Sequence, residues 1–354
     1  MIPCRHFGTC GGCALQDLPE AEYRARKRDE ILQALSRNGF ENVEIGEGIS
    51  VSPRSRRRAV FKLEKKSGKT EIGFHAAKSH DIIDMHECLV LTPALFAAVA
   101  GFREMFGAIL RDGEKAELHV TETDSGLDVA IRWKRLPTPK LVSEIAPWAT
   151  KLKLARITSG DEILAELANP QIYFGKARVD LPPESFLQPT REGEGALQNL
   201  VLEIAGKSKH VADLFAGCGT FSLPLAGHAR VHAVELERPA LNALEKSARN
   251  TAGLKPVTTQ ARDLFKRPLG PAELAPFDCV VLDPPRAGAA AQAAELARSR
   301  VPRIAYVSCN AASFARDARI LADGGYLMGR VTPVDQFLWS SHTELAAQFV
   351  RDGR

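Results

Sequence analysis

From about residue 180 onward the chain repeats one pattern. A short, continuous apolar run is followed by a turn marked by Gly, Pro or Asn and then by a stretch of helical length. Residues 211–215, 231–235, 279–282 and 304–307 are the apolar runs, and 239–252 is the clearest of the intervening helices. Runs without polar alternation are strands buried on both faces. Strands separated by helices build a parallel sheet covered on either side. The last segment, 325–350, holds two β-like runs with no helix between them, which predicts an antiparallel hairpin closing the sheet edge. The fold class is therefore α/β, with a Rossmann-like domain over 181–354 and a seven-stranded mixed sheet. Ligands of such sheets bind beyond the carboxyl ends of the strands.

Residues 1–180 read differently, as an α+β domain. Residues 20–38 are rich in Glu, Arg, Lys, Ala and Leu and predict a helix ended by Gly39. Residues 59–64, 72–75, 117–122 and 127–132 are β-like, and Arg135-Leu136-Pro137-Thr138-Pro139 is a loop. A length of 354 residues suits two domains. No run of about 18 apolar residues is present, so no membrane helix is expected. Met1-Ile2-Pro3-Cys4-Arg5-His6 shows no apolar stretch behind a basic start, so no secretory signal is expected and the compartment reads as cytoplasmic. The oligomeric expectation is a monomer, by default.

The turn after the first of these strands reads Asp213-Leu214-Phe215-Ala216-Gly217-Cys218-Gly219-Thr220 and opens a helix. Its glycines let the backbone turn tightly and approach a ligand. A dinucleotide fingerprint needs a third Gly where Ser222 stands, which disfavours NAD. Glu235 ends the next strand, where a carboxylate binds both hydroxyls of a ribose. Asp263, after the third strand, is placed to accept from an adenine amino group. Alone, a Gly-x-Gly turn is equally well a structural loop. With both acids in register it fits an adenosine-containing cofactor with a small charged tail.

Three further features sit at later strand ends: Asp283-Pro284-Pro285-Arg286, Ser308-Cys309-Asn310 and His342-Thr343-Glu344. A Cys at a strand tip before a helix suits a nucleophile, because the thiolate attacks and a helix N-terminus lowers its pKa. The competing reading is a small buried hydrophobe, against which the polar Ser308 and Asn310 argue. If the reaction is methyl transfer to a carbon such as C5 of uracil, that carbon is a poor nucleophile until a thiolate adds to C6. A base must then take the C5 proton, a role open to Glu344, although an edge-strand Glu is also a common surface residue.

Seven cysteines is an odd count, and without an export signal a disulfide framework is not expected. Cys4, Cys10 and Cys13 form C-x5-C-x2-C, and Cys88 is the remaining Cys outside the sheet domain. Zinc and an iron–sulfur cluster both accept four Cys, and spacing does not choose between them. The net charge of +4 is mild, but residues 54–69 hold eight basic residues against Glu64 alone. Arg54, Arg56, Arg57, Arg58 and Lys62 are candidate phosphate contacts if the substrate is RNA, with a solvated charged face as the bland alternative.

Together these segments resemble the uracil-C5 RNA methyltransferase family, the 23S rRNA and tRNA 5-methyluridine enzymes. Phe186-Leu187-Gln188 resembles its Phe-x-Gln motif, and Asp213 to Phe221 its first methyltransferase motif. Asp283-Pro284-Pro285-Arg286 and Ser308-Cys309-Asn310 with Ala315-Arg316-Asp317 follow, and Asp335 through Glu344 resembles the terminal base motif. The resemblance implies S-adenosylmethionine as cofactor, held by Gln188, Phe215, Gly217, Glu235, Asp263 and Asp283. It implies Cys309 as nucleophile, Glu344 as general base, and RNA as substrate, 23S rRNA before tRNA. It also implies a 4Fe-4S cluster on Cys4, Cys10, Cys13 and Cys88 in preference to zinc. The chain departs from the pattern at Thr190 (usually Asn), Ala311 (usually Pro) and Leu338 to Ser340 (usually Pro-x-Thr). Many relatives carry an RNA-binding β-barrel ahead of the cysteines, whereas three residues precede Cys4 here. The competing readings are an amino- or cytosine-directed methyltransferase, which the first of these chemistries would run without Cys309, and a catalytically idle RNA-binding iron–sulfur protein.

Overall fold

The structure is a computed structural model that describes residues 4–351. Met1-Ile2-Pro3, part of the start-of-chain reading above, lies outside the described residues.

The chain opens with a cysteine-bearing loop, helix α1 (Glu20–Ser36) and the short strand β1 (Ile49–Ser50). Strands β2 (Arg58–Lys66), β3 (Lys69–His75) and β4 (Ile82–Asp84) follow, then helix α2 (Pro93–Ile109), strands β5 (Lys115–Thr123) and β6 (Gly126–Arg132), and helix α3 (Pro139–Lys151). Strands β7 (Leu154–Ser159) and β8 (Glu162–Glu166) complete a seven-stranded sheet in the order β4-β3-β2-β5-β6-β7-β8. Apolar side chains alternate along β2 and β5. Ala59, Phe61, Leu63, Leu118 and Val120 point to one face, where Leu95, Phe102 and Phe106 of α2 and Leu141 and Ile145 of α3 cover them. Arg58, Val60, His119 and Thr121 alternate to the other face. Thr92 and Thr138 cap α2 and α3, each accepting a backbone N–H three residues on.

A hairpin of β9 (Gln171–Phe174) and β10 (Ala177–Asp180) leads to α4 (Arg191–Ala205). Then come β11 (His210–Leu214), α5 (Ser222–Leu225), β12 (Arg230–Glu235), α6 (Arg238–Asn250), β13 (Val257–Ala261), α7 (Pro271–Leu274), β14 (Cys279–Leu282), α8 (Ala290–Arg298), β15 (Arg303–Ser308), α9 (Ala311–Asp323), β16 (Tyr326–Asp335) and β17 (Glu344–Arg351). The sheet order is β1-β16-β17-β15-β14-β11-β12-β13. Strands β11 to β15 run parallel, and β17 lies antiparallel between β15 and β16. The α/β class and the closing hairpin hold.

The expected seven strands become eight, because β1 adds to the edge beside β16. Residues 20–50 precede the pattern change near residue 180, yet they pack with the sheet beyond it. Ile31 and Leu35 of α1 are buried among Phe314, Ala318 and Leu321 of α9. Their helical spacing announced a buried face, but not which sheet would cover it. Among the described residues, no helix is long and apolar enough to cross a membrane.

Candidate active site

Strand β15 ends at Ser308, paired antiparallel with Leu345, so the next step of that register sets Cys309 opposite Glu344. Asn310 caps α9, its Oδ1 accepting from the N–H of Ala312 (2.9 Å) and Ser313 (3.4 Å). Ala311, which replaces the usual Pro, begins that helix undisturbed. Burial pushes the Cys309 thiol up to about 11, with the negative charges of Glu344 and Asp283 adding to it and Arg286 opposing. The resting side chain is therefore a thiol.

Glu344 is buried, and burial holds its carboxyl above the ordinary value, while an N–H of Gln336 pulls the other way. Gln336 Nε2 lies 3.0 Å from Glu344 Oε2 and 2.7 Å from Gln188 Oε1, and Gln188 Nε2 lies 3.1 Å from Asp283 Oδ2. Asp283 is also raised, by burial first and then by Glu344 and Asp213. Gln336 was not singled out in the sequence, although it lies within the segment from Asp335 to Glu344. Thr190, in place of the usual Asn, caps α4 through Gly193 N–H at 3.0 Å, so the turn that carries Gln188 keeps its anchor.

At the other end of the cavity the chain turns sharply through Phe215 (φ 66°), Gly217 (φ 54°) and Gly219 (φ 99°). A positive φ costs a glycine little; Phe215 accepts it and places its ring 5.5 Å from Phe265. Glu235 Oε2 accepts from Gly217 N–H at 3.0 Å, and its Oε1 from Leu236 (2.6 Å) and Glu237 (3.0 Å). Asp263 Oδ1 takes the N–H groups of Phe265 and Lys266 at 3.0 and 3.2 Å. Asp213 is fully buried and pushed up to about 7 by that burial. Ser222 donates to its Oδ2 at 2.5 Å, and its Oδ1 has no partner.

Cys309, Glu344, Gln188, Phe215, Gly217, Glu235, Asp263 and Asp283 all line one cavity of about 670 Å³. It lies between the two sheets, and Arg56 and Arg58 line its other wall. One cavity thus joins a cysteine thiol, a buried carboxylate and a set of strand-end acids.

A family model described as tRNA (Uracil-5-)-methyltransferase matches residues 176–351. An uncharacterized RNA methyltransferase of Rhizobium meliloti is 45% identical over 351 residues, 98% of this chain and 84% of that protein. A 23S rRNA (uracil(1939)-C(5))-methyltransferase of Halomonas elongata is 33% identical over 380 residues, 97% of this chain and 75% of that protein. The chain belongs to the RNA uracil-C5 methyltransferase family. The methyltransferase shares its fold with the crystal structure of Pyrococcus abyssi tRNA (uracil-54, C5)-methyltransferase in complex with S-adenosyl-L-homocysteine. That match has a TM-score of 0.75 and 22% identity and covers 98% of this chain and 86% of the other. The enzyme is S-adenosylmethionine-dependent, as its family is, and acts on RNA. The cavity fits that cofactor. The carboxylates of Glu235, Asp263 and Asp283 that line it are acceptors of the kind a molecule carrying an ammonium, a ribose and an adenine needs.

The methyltransferase places the five basic candidates unequally. Arg54 is exposed on a turn. Arg56 stacks on Phe337 with 5.6 Å to the ring centroid, and Arg58 on Phe186 at 4.7 Å. Lys62 pairs with Glu117 across β2 and β5. Arg57 is a correction. It is 1% exposed, its Nη2 lies 2.5 Å from Glu194 Oε2 and its Nε donates to the carbonyl of Gln188, so it ties β2 to the catalytic sheet and faces no RNA. Strand alternation decides this, since Arg57 shares the inward phase of Ala59 and Phe61.

Cys4, Cys10, Cys13 and Cys88 line a second, smaller cavity of about 40 Å³. Burial pushes the Cys13 thiol up to about 12, helped by repulsion from Cys88, Cys10 and Cys4. Among the described residues, no group of three or more His, Cys, Asp or Glu is gathered to hold a metal ion. The four thiols share that lining with His6, Glu87 and apolar side chains, and thiols are donors that zinc and an iron–sulfur cluster both accept.

Proposed function

We propose that this enzyme methylates C5 of a specific uridine in ribosomal RNA through a covalent adduct on Cys309, with Glu344 as the general base. The observation that carries the reading is that Cys309, which follows β15, and Glu344, which begins the neighbouring strand β17, line the same cavity as the strand-end acids. Cys309 Sγ adds to C6, giving an enolate whose C5 is nucleophilic. S-adenosylmethionine would supply an electrophilic methyl group, which C5 takes from the sulfonium with S-adenosylhomocysteine as the leaving group. Glu344 then takes the C5 proton, the C6–S bond breaks and the thiolate leaves. Glu235 would hold the ribose hydroxyls, Asp263 the adenine amino group, and Gly217 the amino-acid end, with Gln188, Phe215 and Asp283 completing the wall. Arg54, Arg56, Arg58 and Lys62 would meet phosphates, and the target base must leave its stack to reach Cys309.

Ribosomal RNA is preferred to tRNA because the 23S rRNA relative is 33% identical over 97% of the chain, against 22% for the tRNA enzyme of the same fold. We assign the cysteine cavity to a 4Fe-4S cluster of structural role, on the four thiols that its lining brings together. The test uses methyl-labelled S-adenosylmethionine and unmodified bulk RNA split into rRNA and tRNA. Label in 5-methyluridine from the rRNA fraction is the expected result. Label from tRNA alone overturns the substrate choice, and label in another nucleoside overturns the mechanism.

A further inference from the structure

A buried hydrogen-bond chain runs from Asp283 through Gln188 and Gln336 to Glu344, with heavy-atom distances of 3.1, 2.7 and 3.0 Å. Gln188, Gln336 and Glu344 are at most 3% exposed. An ionised carboxylate only accepts, and an amide nitrogen carries two hydrogens. Gln336 Nε2 spends both, one on Glu344 and one on Gln188. Flipping Gln336 would turn its oxygen onto two other acceptors. Flipping Gln188 would set its NH2 against that of Gln336 and its oxygen against Asp283. The orientation of one amide therefore dictates the other. Gln188 is left with its oxygen occupied and one N–H uncommitted at the wall of the catalytic cavity.

The packing around Gln336 serves the same placement. Its Oε1 is buried without a hydrogen-bond partner, so the side chain is held by its two N–H groups alone. The amide fits because residue 193 is Gly: a Cβ there would lie 2.5 Å from Gln336 Oε1 and 2.7 Å from its Cβ. A buried acceptor with no partner is a cost to the fold, accepted here where both donors reach functional groups.

We propose that Gln336 is a positioning residue for methyl transfer: it holds the Glu344 carboxylate in place as an ionised base and locks Gln188 with a donor toward the target pyrimidine. This rests on the reading of Glu344 as the base. Gln336 gives Glu344 a side-chain hydrogen bond that only its charged form accepts well. Without it, a carboxylate this buried keeps its proton to higher pH. A protonated Glu344 takes no proton from C5, and the C6–S bond then persists.

The test is the pH dependence of adduct decay: the denaturant-resistant protein–RNA adduct is formed with S-adenosylmethionine and the bulk RNA fraction that takes label, shifted to a series of pH values and followed in time, so that ionisation of Cys309, which governs formation, does not enter. In the wild type the decay slows as pH falls through the ionisation of Glu344. In Gln336→Met, of nearly the same volume and without either N–H, that slowing should set in at higher pH by about one unit, with kcat lowered about tenfold and KM little changed. Gln336→Glu, which keeps the shape and sets a second acid beside Glu344, should shift it the same way and covers the case in which the Met variant does not fold. An unshifted profile in the folded variants overturns the proposal, however much the rate falls. Glu344→Gln separates the two ideas. Adduct in that variant with an unshifted Gln336→Met counts against Gln336 alone, and no adduct in it counts against Glu344 as the base.

Discussion

Lys27 Nζ on α1 lies 2.8 Å from Asp335 Oδ1 at the end of β16, and both side chains are more than nine-tenths buried. Tyr23 donates to the other carboxylate oxygen, and Lys27 also donates to the carbonyl of His342. Trp339 N–H reaches Tyr23 Oη at 2.9 Å, and Ala14 and Leu15 donate to the Trp339 carbonyl. The loop between β16 and β17, which delivers Gln336 and Glu344, is thus pinned from the N-terminal side. Removing one partner of a buried ion pair strands the other. Lys27→Met should cost about 3 kcal/mol in urea unfolding, and Lys27→Met with Asp335→Asn should recover much of it. A loss within about 0.5 kcal/mol, the scale of a surface change, would show the pin to be idle.

Cys309→Ala should lower turnover by roughly 10⁴-fold or more, as removal of a nucleophile does elsewhere. A loss under tenfold would end the covalent mechanism. Glu344→Gln should still transfer the methyl group but retain RNA on the protein, seen as a slowly migrating band in denaturing gels.

The Cys309 thiol is pushed up to about 11, mainly by burial, and the active form is the thiolate. Because the deprotonated form attacks, single-turnover adduct formation should quicken as pH rises from neutral toward that value. Arg286 is the nearby cation that favours the thiolate. Arg286→Met should move the profile to still higher pH, read from rapid-quench adduct yields, and an unmoved profile would remove Arg286 from this role.

Arg54 and Arg57 should separate cleanly in RNA binding. Arg54→Ala should weaken binding and reduce the salt slope by about one ion. Arg57→Leu breaks a buried pair with Glu194 and should cost about 3 kcal/mol of stability while leaving the salt slope of the folded fraction unchanged. Filter binding across a salt series checks both, and a changed slope in the Arg57 variant would restore it to the RNA face.

The chain purified without oxygen should carry about four irons and four sulfides, lost in Cys88→Ala with the visible absorbance. Stoichiometric zinc instead would replace the cluster assignment, and neither metal would leave four free thiols.

The catalytic half was legible because its signals are local. Apolar runs without alternation marked β11, β14 and β15, and Gly217, Glu235 and Cys309 follow strand ends at short range. What the sequence hid depends on long-range pairing. The charge run from Arg54 looked uniform, yet strand alternation turns Arg57 inward and leaves Arg54 out. The amphipathic spacing of Ile31 and Leu35 showed a buried face but not that α9 would cover it. Gln336 carried no signal of its own, since an amide acquires a role only from the groups that surround it. The substitutions at Thr190 and Ala311 looked like departures, and both fall at helix starts where the new residue fits.

Because α1 packs on α9 and β1 pairs with β16, the first structured segment of the chain finds its partners near the last. During synthesis at roughly 5–20 residues per second, about 15 to 60 seconds separate the emergence of Ile31 from that of the strands and helix that bury it. Throughout that interval the helix has an apolar stripe and a lysine without a counterion, and the loop bearing the base does not yet exist. A nascent chain of this enzyme can therefore fold its middle sheet around α2 and α3 early, but it becomes competent to modify RNA only when its final strand leaves the ribosome.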